Sequence, residues 1–329
     1  MSASRSAAPA QGPSRTMAIT AQTWLDIMER EYLGDFIPAG GGAVRFAVAE
    51  AGGIDSLARG LRQRAAGLGL EVVPIDLASV RLHMLQNVVF AIAAALPWER
   101  LLQTRLEMLV AGAGYRWPEA GKPVLLPTLA EANGVAVHLL RRDLMQALSR
   151  DVWQDARLTQ DFRYAMIALL EARLTGEDEA LTASVMDWLR GTLRSIGLLK
   201  SAQIGRRIGR QNARAVLMSL CHWVRTCGGA GMVLVLDIRQ LHRERRMITE
   251  GLVYTPAAVM DCYEVLRQLI DDSEHFPGLF VAALADDAFL SDDPRRSLGQ
   301  YTALQMRVWD DVRPQGGDNP LAPLVRIAP

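Results

Sequence analysis

Cysteine is scarce: Cys221, Cys227 and Cys262 are the only three in 329 residues. Their number and spacing exclude a disulfide framework and a paired-Cys zinc site, and point to reduced thiols packed in the core of a cytoplasmic protein. Lysine is scarcer still, present only as Lys122 and Lys200, an arginine bias that GC-rich coding accounts for better than a need for guanidinium chemistry. Net charge is absent as well. Lys+Arg and Asp+Glu are both 36, so no overall field draws the chain to nucleic acid or to an anionic membrane, and any such binding requires a local patch. No stretch reaches ~20 apolar residues without a charge, which excludes a membrane-spanning helix. The opening residues, up to Thr16, contain no apolar block that could serve as a signal peptide, and their two arginines make a weak case for a transit peptide. Residues 1–20 therefore read as a disordered tail.

Half of the residues are apolar, enough for one large core or two modest ones. Trp24, Ile27, Met28 and Tyr32 share one face of a helix over 21–33, which a loop with Pro38, Gly40, Gly41 and Gly42 ends. Val44, Phe46 and Val48 alternate as a strand, and a helix with Leu57, Leu61 and Ala65 follows, stopped by Gly67 and Gly69. Leu70 to Ile75 is a second strand closed by Asp76, and the short connections favour parallel pairing of the two. From 80 to 226 the pattern is helical, with a buried helix at 80–96, breaks at Pro97, Pro118, Pro123 and Pro127, and a long helix at 201–226. Met232 to Leu236 and Leu279 to Leu284 are apolar runs between turn residues, as in strands buried on both faces, with helices expected at 256–271 and 297–312. The layout is an α/β fold with a parallel sheet. Residues 21–79 form its first part, 80–226 a helical insertion or subdomain, and 227–329 its second part.

Open α/β sheets bind ligands beyond the carboxyl ends of their strands, which here are followed by Glu50 to Ser56, Asp76, Asp237 and Asp286. A phosphate-binding P-loop reads G-x-x-x-x-G-K-[ST]; its glycines let backbone N–H groups wrap phosphates, its lysine neutralises them and its hydroxyl holds magnesium. The matching segment runs from Ala49 to Ser56, and only Gly52, Gly53 and Ser56 fit it. Asp55 stands where the lysine belongs, placing repulsion where a triphosphate needs attraction. Gly52, Gly53, Asp55 and Ser56 are the candidate nucleotide ligands, and capping of the helix is the plainer role for Asp55. Asp237 ends an apolar strand as a magnesium-side carboxylate does, which makes Asp237 the candidate catalytic residue and Ser56 with Asp237 the candidate metal ligands. Ile238 follows it, where many such ATPases carry a glutamate that activates water.

Lys200, Arg206, Arg207, Arg210 and Arg214 are expected on one face of that long helix, opposite Ile204, Ile208, Val216 and Leu217; Arg206, Arg207, Arg210 and Arg214 are candidate DNA contacts, with a solvated face as the equal alternative. Arg210 and Arg214 could also reach a nucleotide across a subunit boundary, and Arg307 and Arg326 are candidate phosphate sensors in an assembly of that kind. His83 reads as a core histidine on an apolar helix, and His222 and His242 lie too far apart for a metal pair. Glu264 and Arg267 make an i,i+3 pair beside Tyr263. No Ser-His-Asp or Cys-His constellation is visible.

Several segments, in this order, resemble the BrxD proteins of bacteriophage exclusion (BREX) systems, which go with BrxC-like P-loop proteins akin to AAA+ ATPases of the origin-recognition type. They are Glu31-Tyr32-Leu33, Phe36 to Gly41, Val44-Arg45-Phe46, Arg81 to Met84, Arg210 to Arg214, Leu236-Asp237-Ile238, Tyr263 to Arg267 and Asn319 to Arg326. The resemblance spans about residues 30–327 and implies a P-loop NTPase (AAA+-like) sheet with a large helical insertion. It further implies ATP and Mg²⁺ as ligands and a defence-system helicase or other BREX-type proteins as partners, with DNA and a homo-oligomer as further associations. The departure at 49–56 favours a binding and assembly subunit over one that hydrolyses ATP. An active AAA+ ATPase remodelling a partner on DNA, and a DNA-binding module without a nucleotide, stay open as alternatives.

Overall fold

The computed structural model describes residues 19–118, 124–243, 250–309 and 319–328. The expected tail lies almost wholly outside them, as do Lys122, Pro123 and the end of the helix expected at 297–312. Five strands form one parallel sheet: β1 (Gly42–Val48), β2 (Glu71–Asp76), β3 (Met232–Asp237), β4 (Leu279–Ala285) and β5 (Leu324–Arg326), in the order β2-β3-β4-β1-β5. This is a P-loop NTPase-like sheet.

The apolar runs take the centre. All seven residues of β4 and the first five of β3 are buried, as strands covered on both faces must be. β2 alternates buried and open positions and holds Pro74, which has no N–H for a second neighbour and so confines it to the edge. β1 and β2 are parallel, yet they do not pair with each other as the sequence suggested; β3 and β4 lie between them.

The two-residue period of the strands divides the core. Ala47, Val233, Val235, Phe280 and Leu284 pack against α1 (Ala21–Met28) and α2 (Ala51–Gly67) through Trp24, Met28, Leu57 and Leu61. Phe46, Leu234, Leu236, Val281 and Ala283 face the other way. That cluster continues through α3 (Leu85–Ala95), α4 (Trp98–Gly112), α5 (Leu126–Ala132), α6 (Val137–Leu148), α7 (Gln160–Thr175), α8 (Glu179–Arg190) and α9 (Ala213–Thr226). It also takes in Tyr263 and Leu266 of α10 (Pro256–Asp271) and Leu304 of α11 (Thr302–Val308). Gly42 opens β1 because nothing larger fits: a Cβ there would lie 1.9 Å from the Ser273 carbonyl oxygen.

Three expected helices are shorter. The stretch expected at 201–226 is helical only from Ala213. Before it Asn212 accepts from the Gly209 N–H (2.7 Å) and donates to the Arg207 carbonyl (3.1 Å), local bonds that compete with the helix beside Gly205 and Gly209. The helix expected at 80–96 starts at Leu85, because Asp76 caps the Ala78 N–H (2.8 Å) and the Tyr254 hydroxyl binds the Leu77 and Val80 carbonyls, tying 77–80 into a turn. His83 thus sits on a second turn, between 77–80 and the start of α3, and not on an apolar helix. Among the described residues the last helix is confined to α11, after a 3-10 turn at Leu298–Gln300. The first continues from α1 into a π-turn, Glu29–Leu33.

Candidate functional site

Parallel register brings the carboxyl ends of the strands to one edge. Asp76 lies beside Asp237 on β2 and β3, and Val48 is flanked by Ala285 and Arg326. The side chains there are mostly acidic: Asp55, Asp76, Asp237, Asp286 and Asp287 stand against Arg239 and Arg326.

The phosphate-loop position has no loop. β1 ends at Val48 and α2 starts at Ala51, so only Ala49 and Glu50 connect them, and Gly52, Gly53, Asp55 and Ser56 all lie within the first turns of the helix. Glu50, not Asp55, occupies the N-cap, and its carbonyl accepts from Gly53 N–H at 2.8 Å. Neither glycine has positive φ, and a Cβ on Gly52 would meet no atom within 4 Å. These glycines therefore serve no wrapped backbone. Ser56 is exposed.

Asp55 and Asp237 are brought together through a residue that the motif comparison passed over. Arg239, two positions beyond Asp237 on a short 3-10 turn, donates from Nε to both Asp237 oxygens (2.9 and 3.1 Å) and from Nη2 to Asp237 Oδ2 (2.5 Å). The same Nη2 reaches Asp55 Oδ1 at 2.7 Å. The Asp237 carboxylate first among the causes, then Asp55, hold the guanidinium still more firmly in its charged form, against the opposing effect of burial. Asp286 beside this group caps the Ala288 N–H (3.1 Å), and burial pushes its carboxyl upward, aided by Asp287 and Asp237. Ile238 is fully buried, so no carboxylate adjoins Asp237 on that side.

The candidate arginines separate. Arg214 pairs with Asp272 at 2.6 Å, Arg207 donates to the Arg194 carbonyl at 2.6 Å, and Arg206 stands 3.9 Å from Asp161. Arg210 is exposed on the irregular segment before α9. Arg326 meets Asp287 (3.3 Å) at the strand edge, whereas Arg307 is bound to Asp271 at the end of α10. Two of the histidines have close partners: His222 Nε2 lies 2.6 Å from Asp155, and His242 Nε2 lies 2.8 Å from the Tyr263 hydroxyl. That hydroxyl donates to the Arg296 carbonyl, so Nε2 of His242 carries its proton. Arg267 forks onto Glu264 (2.6 and 2.7 Å), as the i,i+3 spacing predicted.

A family model described as BREX system ATP-binding protein BrxC/D matches residues 130–329, more than half of the chain. The chain belongs to the BrxC/D family. No curated protein and no solved structure matches it. The BrxC/D match includes β3 with Asp237 and Arg239, and β4 with Asp286; β1 and the phosphate-loop position precede it. Magnesium triphosphate does not fit what stands there. The connection is two residues long, the lysine position is an aspartate, and a guanidinium already occupies the space between Asp55 and Asp237. Among the described residues of this BrxC/D chain no group of three or more His, Cys, Asp or Glu side chains could hold a metal ion, and no helix is long and apolar enough to cross a membrane.

Proposed function

We propose that this BrxC/D-family protein acts in BREX defence against phage as a binding and assembly subunit that does not turn over ATP. The observation that carries the reading is the Asp55–Arg239–Asp237 ion triad. In a working site a lysine and a magnesium ion neutralise the triphosphate, and a carboxylate on the third strand helps to hold the metal. Here the arginine of the chain itself neutralises that carboxylate and the one at the lysine position. A triphosphate would have to displace it and then face an edge with five aspartates. Nucleotide binding as a family trait then implies a hold on the nucleotide that does not depend on Mg²⁺ at Asp237. Partners are other BREX-type proteins, a defence-system helicase among them; a homo-oligomer and DNA are further associations, with Arg206, Arg207 and Arg210 as the exposed basic side chains on offer.

The test is a plaque assay in cells carrying the complete defence system. Deleting this chain should abolish protection, while Asp237→Asn and Asp55→Asn, expressed at normal abundance, should keep it. Loss of protection in Asp237→Asn at full abundance would instead favour an active ATPase.

A further inference from the structure

The helices between β2 and β3 line an open-mouthed cavity of about 440 Å³, a size typical of small-molecule sites. Aliphatic side chains make up much of its lining; the charged groups there are Glu171, Glu177 and Asp178, of which Asp178 also caps α8 through the Leu181 N–H (3.2 Å), and one guanidinium, Arg141, with Trp153 and Tyr164 in the wall. The two rings pack at 4.8 Å between centroids, and the Arg163 guanidinium lies 5.4 Å from the Trp153 ring. Glu171 is half-buried on α7, and among the described residues its carboxylate has no hydrogen-bond or ion-pair partner. Burial pushes that carboxyl upward, against the pull of Arg141.

Several backbone irregularities lie at the same place, although the π-turn Glu29–Leu33 lies elsewhere. Among the described residues, Asp178 (φ 64°) and Gln203 (φ 59°) are the two non-glycine residues with positive φ, and both line the cavity. Trp153 closes a π-turn, Ser149–Trp153, that follows α6. Such conformations cost energy and gather where a site needs them.

We propose that this cavity binds a small organic cation, an aliphatic amine or diamine, with Glu171 accepting the ammonium hydrogen bonds and Trp153 and Tyr164 flanking the alkyl stem. Three carboxylates against one arginine favour a cation, the rings favour its apolar stem, and Glu171 provides the acceptor that nothing in the described chain uses. The site is independent of whether ATP is turned over.

Calorimetric titration of the full chain with 1,5-diaminopentane and with hexylamine, using 1-hexanol as the neutral control, tests this. The expected result is saturable one-to-one binding of at least one amine and none of hexanol. Affinity should drop by about tenfold or more in Glu171→Gln, the effect of losing a hydrogen bond to a charged group. Trp153→Leu, at a partly exposed position, should weaken binding too, so the proposal stays testable if Glu171→Gln fails to fold. No heat from either amine with the natural protein, equal binding of hexanol, or undiminished affinity in folded Glu171→Gln would overturn the assignment.

Discussion

Replacing Arg239 by alanine removes, among its contacts, three side-chain hydrogen bonds to Asp237, at 2.5, 2.9 and 3.1 Å, and one to Asp55 at 2.7 Å. The side chain of Arg239 is 16% exposed, that of Asp237 37% and that of Asp55 64%, so the two contacts differ in worth. A forked, partly buried arginine–carboxylate contact contributes about 1.5 kcal/mol, while a solvent-screened one contributes about 0.5 kcal/mol. Asp237 remains hydrated after the change, so the larger penalty of a stranded buried charge does not apply. The expected loss from these contacts is about 2 kcal/mol, a fall in Tm of roughly 3 °C for a chain of this size. Denaturant unfolding of Arg239→Ala, Asp237→Asn, Asp55→Asn and the two double variants separates the contacts. The coupling to Asp237 should exceed that to Asp55, and both should shrink in high salt. Couplings indistinguishable from zero, or a larger one to Asp55, would refute the reasoning.

Acid stability should depend on His242. Burial, with Arg296 adding to it, holds this imidazole at about 4 against an ordinary 6.5. Below pH 6.5 the unfolded chain takes up a proton that the folded chain refuses, so stability is full above 6.5 and declines toward 4 by up to roughly 3 kcal/mol. His242→Gln should flatten that slope in pH-dependent unfolding; an unchanged slope would place the acid lability elsewhere. Gly42→Ala drives a Cβ into the Ser273 carbonyl at the start of β1 and should cost about 2 kcal/mol or more, measured as a lowered denaturation midpoint. Full stability in that variant would mean that the 272–276 turn can move aside.

The centre of the sheet was legible because it is written in unbroken apolar runs: Met232 to Leu236 and Leu279 to Leu284 each need cover on both faces, whereas β5 and the separation of β1 from β2 were not. Pro74 confines β2 to the edge, a local sign that the expected pairing of β1 with β2 did not use. The ends of helices were harder to read, since the turn at 77–80 depends on Tyr254, 174 residues beyond Val80 in sequence, and the break before Ala213 on the side chain of Asn212. The departure at residue 55 could be seen in one dimension, but its consequence could not, because Arg239 meets Asp55 across 184 residues. An arginine two positions after a strand-ending aspartate was the only local sign of it. The amine cavity had no motif at all; Arg141, Trp153, Glu171 and Gln203 come from four separate stretches and acquire meaning only by packing.

The most direct test of the account is calorimetric titration with ATP, with and without Mg²⁺, combined with a turnover assay on the natural protein, Asp55→Lys and Asp55→Lys/Arg239→Ala. The account predicts no turnover by the natural protein and no gain in affinity from Mg²⁺. Asp55→Lys alone should gain nothing either, since the new lysine would crowd Arg239, while the double variant clears the position. Magnesium-dependent binding and turnover by the natural protein, both abolished by Asp237→Ala, would contradict it.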